Sequence, residues 1–167
     1  MTVIREPKRL PVALLTYIGW TFVTLFGMRW ASDGSKKPLI ETVTRGISWN
    51  LAMAVGLLVL VTLALHWRDL KFVAPRPASS LRVLGFPALY LLFFALLPAV
   101  LGLPPAGTLL FIAMNTALIG LSEEGMFRGV LFQGLRSRLT MGPAILLTSL
   151  LFGAVHVLNV DHHRTIS

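Results

Sequence analysis

Four stretches of this chain carry no Asp, Glu, Lys or Arg: residues 10–28, 46–67, 83–122 and 139–160, of 19, 22, 40 and 22 residues. A helix crossing the hydrocarbon core of a bilayer needs about 20 consecutive apolar residues. A helix on the surface of a soluble domain would instead show a charged outer face, and these stretches have none. Composition agrees: 55% of residues are hydrophobic and 13% charged, against about 25% charged in soluble domains. The 40-residue stretch is too long for one helix. Pro98, Pro104 and Pro105, with Gly102 and Gly107, are expected to divide it. The predicted fold class is therefore all-α, a multi-pass integral membrane helical bundle of about five transmembrane helices. They fall near residues 10–30, 46–67, 82–101, 107–136 and 140–160, in one membrane domain covering residues 1–167. The Pro/Ser-containing stretch 74–80 reads as a loop, because too little chain lies on either side for two domains.

The first apolar stretch follows Arg5, Lys8 and Arg9, as a signal peptide's would. It is longer than the usual 7–15 residues of such a core, and no small-x-small cleavage site follows in Arg29-Trp30-Ala31-Ser32. A retained anchor is the better reading. The net charge of +8 is explained by topology, since cytoplasmic loops are enriched in Lys and Arg. The N-terminus and the loops near 68–82 and 134–139 share one side and hold nine basic residues, against five on the other. The expected localisation is the cell membrane with a cytoplasmic N-terminus, loops 31–45 and 102–106 outside and the C-terminus outside. Trp30 and Trp67 abut span ends and suit an interfacial belt, as does His66 beside Trp67. Trp20 lies mid-helix and reads as packing. The basic residues sit in short loops between spans, so no nucleic-acid partner is expected; the lipid bilayer is.

Within this apolar background, Glu123, Glu124 and Arg128 stand together inside a predicted span, and His156 stands alone in the next. An ionisable side chain at the bilayer centre costs about 2.5–3.5 kcal/mol on insertion scales. Three within two helical turns therefore imply a polar site facing protein or a wet cavity. Glu124 and Arg128, four residues apart, share a helix face and can pair; a buried structural bridge is their first expected role. Glu123 is rotated about 100° from Glu124 and stacks with Phe127 instead. On the following helix, Ser149, Phe152, His156 and Asn159 form one polar-aromatic stripe. Ser149 and Asn159 by themselves are ordinary interhelical glue. The hairpin 107–160 turns near Leu139; Glu123 lies 16 residues before it and His156 17 after. In an antiparallel hairpin the two side chains reach nearly the same depth. Gly125 and Gly129 offer a small-xxx-small pair for close helix approach.

Zero cysteines exclude a thiol nucleophile, disulfides and thiolate metal sites. No H-E-x-x-H, G-x-S-x-G or phosphate-binding glycine loop occurs. Asp161-His162-His163 resembles a metal cluster, but adjacent histidines diverge around a helix, and a solvated tail is the simpler reading. No metal or cofactor is expected. What remains is a carboxylate–imidazole pair in a low-dielectric setting, where a carboxylate becomes a stronger base. Hydrolysis by an activated water is the chemistry such a pair favours. A non-catalytic interaction protein and a proton- or ion-handling protein with Glu123 and His156 as relay groups stand as alternatives.

Glu123-Glu124-x-x-x-Arg128, extended through Phe127-Arg128-Gly129-Val130-Leu131-Phe132-Gln133, resembles the first motif of the CPBP family. That family comprises CAAX-type prenyl endopeptidases and bacteriocin-processing or self-immunity membrane proteins. Phe152-x-x-x-His156, within Leu151-Phe152-Gly153-Ala154-Val155-His156-Val157-Leu158-Asn159, is similar to its second motif. The likeness covers roughly residues 122–159; the first three spans match in hydropathy alone. It implies an intramembrane glutamic endopeptidase in which Glu123 and His156 activate water, with Glu124, Arg128, Phe152 and Asn159 supporting. It also implies a peptide or protein substrate, with prenylated CAAX peptides and small secreted peptides as family precedents. A further family motif, a histidine followed four residues on by Asn or Asp, has no counterpart: Ile166 stands four after His162 and Ser167 four after His163. From that, a C-terminally truncated member with little or no activity is the expectation.

Overall fold

The computed structural model describes residues 8–31, 39–64, 82 and 84–164, with backbone alone at 28–31, 39, 42, 98, 99 and 159–164. Among the described residues all regular structure is helical: α1 Arg9–Ala31, α2 Leu39–Arg45, α3 Trp49–Ala64, α4 Gly85–Leu101 and α5 Ala106–Glu123. A π-helical segment Glu124–Leu131 follows, then α6 Phe132–Arg136 and α7 Met141–Arg164. Three helical stretches, Arg9–Gly27, Ala106–Arg136 and Met141–Leu158, are long and apolar enough to cross a membrane, and Trp49–Ala64 and Gly85–Leu97 are shorter apolar helices. The chain is a helical membrane protein. Residues 65–81, which hold His66, Trp67 and the stretch 74–80, lie outside the described residues.

Proline placement explains several helix starts. α1, α4 and α7 each carry proline as the third residue, Pro11, Pro87 and Pro143. A first-turn amide has no intrahelical acceptor, so its absence there removes no helix bond. Two details differ from expectation. Pro98 does not break the long apolar stretch but lies within α4; the break falls at Gly102, whose φ of 102° ends that helix, and at Pro105, which precedes α5. The expected outer loop 31–45 also contains the short helix α2.

α1 is the hub. It runs antiparallel to α3: Gly27 meets Asn50, Gly19 meets Leu57, and Asn50 Nδ2 donates to the Thr24 carbonyl at 3.1 Å. Farther down, α1 crosses α6 so closely that a methyl on Gly134 would collide with Ala13. α3 and α5 descend side by side, with Ser48 beside Asn115 and Leu58 beside Gly125. Gly125 is a point of close helix approach, and the helix it meets is α3: a Cβ there would stand 3.2 Å from Leu58. The core comprises Trp20, Leu58, Met126, Phe127, Val130 and Leu131 with small residues between them. Three hydroxyls inside spans bond their own backbone, Thr16 to Val12, Thr24 to Trp20 and Thr148 to Ala144, which satisfies them where water is absent.

α4 stands apart from this packing. Every side chain described on it is exposed, including Phe86, Tyr90 and Phe94, whose rings stack along one face at 6.3 and 4.7 Å. Much of the remaining outer surface is Leu, Ile, Val and Phe. Acyl chains are the solvent that such a surface suits.

Candidate active site

The last two long helices form a hairpin whose turn is closed by several local bonds. Leu139 N–H donates to the Leu135 carbonyl at 2.8 Å, Ser137 Oγ donates to that of Gly134 and Arg136 Nη1 to that of Leu139. From this turn the chain climbs through α7 on one side and descends through α5 and the π segment on the other. Glu123 ends α5, and His156 sits on α7. Glu123 Oε1 and His156 Nε2 are 3.8 Å apart. The spacing of both residues from the turn near Leu139 predicts one depth for them, and the structure brings them together.

Two pairs four residues apart face each other across the hairpin. Glu123 opposes His156, and Phe127 opposes Phe152, with ring centroids 4.8 Å apart at 82°. Phe152 in turn underlies His156, the two rings 4.3 Å apart. His156 Nδ1 is 2.9 Å from the Phe152 carbonyl oxygen. A carbonyl only accepts, so Nδ1 carries a proton, and in the neutral form of the ring Nε2 presents its lone pair to Glu123. In that form carboxylate and Nε2 are both acceptors. At 3.8 Å they are too far apart for a direct hydrogen bond, and a water donating one O–H to each fits the arrangement.

An ion pair forms beside it: Arg128 Nε stands 3.0 Å from Glu124 Oε2. Its environment is not the expected one. The Arg128 and Glu124 side chains are 81% and 56% exposed, so this is an outward-facing pair and not a buried bridge. The inward side of the π segment is filled by Met126, Phe127, Val130 and Leu131, and the two charged groups are turned away from α1 and α3. Ser149, expected on the same stripe as His156, is exposed. The side chains of Asn159 and Asp161–His163 lie outside the described residues. Among the described residues no three His, Asp or Glu side chains are grouped as a metal site would need.

Three features escaped the sequence reading. One is the π-helical form of Glu124–Leu131; π turns concentrate at functional sites. Another is the bond from Trp20 Nε1–H to Ser122 Oγ at 2.7 Å, linking α1 to the residue before Glu123. The last is Asn115, 2% exposed. Its Oδ1 accepts from Ser48 N–H, and its Nδ2 donates to the carbonyls of Val43 and Gly46. It thus ties the α2–α3 junction to α5. An amide alone in an apolar span was the available signal, because such a group must find partners.

Fold and site together define a polytopic helical membrane protein with a carboxylate–imidazole pair on adjacent helices. Residues 105–166, which contain both, match the sequence model of the family described as Rce1-like, type II CAAX prenyl endopeptidase. This segment of the chain is similar to that family of membrane proteases. No curated protein and no solved structure matches the chain.

Proposed function

We propose that this protein is an intramembrane endopeptidase that cleaves a peptide bond with a water held between Glu123 and His156. The observation that carries this is the 3.8 Å approach of Glu123 Oε1 to His156 Nε2 with Nδ1 committed to the Phe152 carbonyl. In the first step Glu123 takes one proton of the water as its oxygen bonds to the scissile carbonyl carbon, and His156 Nε2 accepts the second O–H as a hydrogen bond. The tetrahedral adduct then collapses. The C–N bond breaks, the proton held by Glu123 passes to the departing nitrogen, and acid and amine products leave with both side chains in their starting states. A positioned general base contributes about 10²–10⁴ in rate. The Glu124–Arg128 pair, beside this centre, holds the start of the π segment through charge-assisted contact. The substrate class that fits the family description is a prenylated CAAX peptide.

Purified protein in proteoliposomes, given a fluorogenic prenylated peptide, tests this. Glu123→Gln and His156→Ala should each remove at least about 10²-fold of the cleavage rate while leaving membrane abundance unchanged. Full activity in Glu123→Gln would exclude it as the base. Binding of the peptide with no Glu123-dependent hydrolysis in the parent would favour an interaction protein instead.

A further inference from the structure

We infer that α1, which lies outside the family-matched segment, supplies two positioning residues for the site, Trp20 and Tyr17. This rests on the endopeptidase proposed above, in which the Glu123–His156 separation sets the rate.

Each half of the pair is gripped by a hydrogen bond from α1 to a neighbour in sequence. Trp20, 3% exposed, donates from Nε1 to Ser122 Oγ at 2.7 Å, and Ser122 is fully buried and adjacent to Glu123. Tyr17, one turn earlier, donates its hydroxyl to the Leu151 carbonyl at 3.0 Å, and Leu151 adjoins Phe152, the residue beneath the imidazole. The rings make a second connection. Phe127 receives Trp20 edge-on at 5.3 Å and Tyr17 at 6.0 Å, and it meets Phe152 at 4.8 Å. A single α1 turn therefore touches both sides of the hairpin by a directional bond, and its two rings meet Phe127, which in turn meets Phe152 of α7. Without it the hairpin could splay or slide, and a misplacement of about 1 Å can cost 10²-fold in rate. Holding a reacting pair through packed neighbours on rigid elements is what such geometry requires.

Trp20→Phe keeps an aromatic ring and removes the donor; Tyr17→Phe keeps its ring and removes the hydroxyl alone. Both are expected to lower kcat by about 10-fold or more at nearly unchanged KM, within the range for small misplacements. Leu15→Ala, on the outward side of α1 and 68% exposed, should change neither. A purely structural role would lower the amount of folded protein and leave kcat of the folded fraction intact. An activity-free measurement accompanies this: 15N solid-state NMR of histidine-labelled protein in bilayers, with His156 assigned by the signal lost in His156→Gln. The parent should show the Nδ1-protonated form, and both α1 variants should shift the Nε2 resonance or mix the tautomers. Unchanged His156 resonances in folded Trp20→Phe and Tyr17→Phe would overturn the assignment, whether or not the protein cleaves peptide. Shifted resonances in a chain without Glu123-dependent hydrolysis would keep the positioning and remove the peptidase. If Trp20→Phe does not fold, Tyr17→Phe and Ser122→Ala carry the comparison.

Discussion

Glu124 and Arg128 show how far one residue's surroundings alter its expected cost. As a buried pair, loss of one partner would cost about 3–5 kcal/mol. With side chains 56% and 81% exposed, that figure does not apply, and the relevant cost is that of a lone charge at membrane depth, about 2.5–3.5 kcal/mol on insertion scales. Arg128→Gln should therefore lower abundance in the membrane fraction severalfold, because Glu124 is left without its counter-ion. The double variant Glu124→Gln/Arg128→Gln should recover most of it. Quantitative immunoblotting of membranes checks this, and an equally poor double variant would show that the charges matter for something other than their mutual neutralisation. The pairing was legible in the sequence because it is local, four residues apart in a helix. Its outward orientation was not, since it depends on which face α1 and α3 occupy. The same distinction separates Glu123–His156, whose match follows from counting residues on both sides of one turn, from Trp20–Ser122. The latter joins residues 102 apart in sequence, and no spacing within either helix sets the register of α1 against α5.

At the scale of elements, the long apolar helices were legible because charges punctuate them, whereas α2 and the π segment were not. α2 has seven residues, two of them charged in a Glu41–Arg45 pair, and no apolar period long enough to register. Its place is fixed instead by Asn115, whose three hydrogen bonds hold the backbone at Val43, Gly46 and Ser48. Asn115→Leu leaves those backbone groups without their partner, and unsatisfied buried groups cost about 1–3 kcal/mol each. A markedly lower unfolding midpoint in detergent is expected; an unchanged midpoint would show that the junction is not held there. The α1–α6 crossing gives a sharper case. Gly134→Ala places a methyl against Ala13, and overpacking of this kind costs about 1–3 kcal/mol. Ala13→Gly in the same chain should return most of the lost stability, since it vacates the colliding volume. Failure of that compensation would mean that the strain is taken up elsewhere on α1. Neither glycine nor alanine announced this contact in the sequence, where both read as ordinary apolar filler.

For the whole molecule, the packing fixes which ends lie together and charge then sets the orientation. Gly134 of α6 packs against Ala13 near the start of α1, so Lys8 and Arg9 lie at the same end as Arg136 and Arg138. The α2–α3 junction, tied to Asn115, lies toward the other end, beyond the Glu123–His156 level. Cationic residues collect on the cytoplasmic side of short-loop membrane proteins, and we propose that the end bearing Lys8, Arg9, Arg136 and Arg138 faces the cytoplasm. The pair would then be reached more directly from the opposite leaflet, because Asn115 precedes Glu123 by eight residues, about 12 Å of helix. The absence of cysteine makes the test direct. Ser79→Cys, in the stretch that the sequence pattern predicts on the cytoplasmic side, should react with an impermeant thiol reagent in inverted vesicles and not in intact cells. Ile47→Cys, at the α2–α3 junction, should show the reverse. Labelling of position 79 from outside alone would invert the orientation and with it the leaflet from which a substrate approaches. The helix packing would be unaffected, because it is set by contacts such as Gly134–Ala13 and Trp20–Ser122 that do not depend on which side is the cytoplasm.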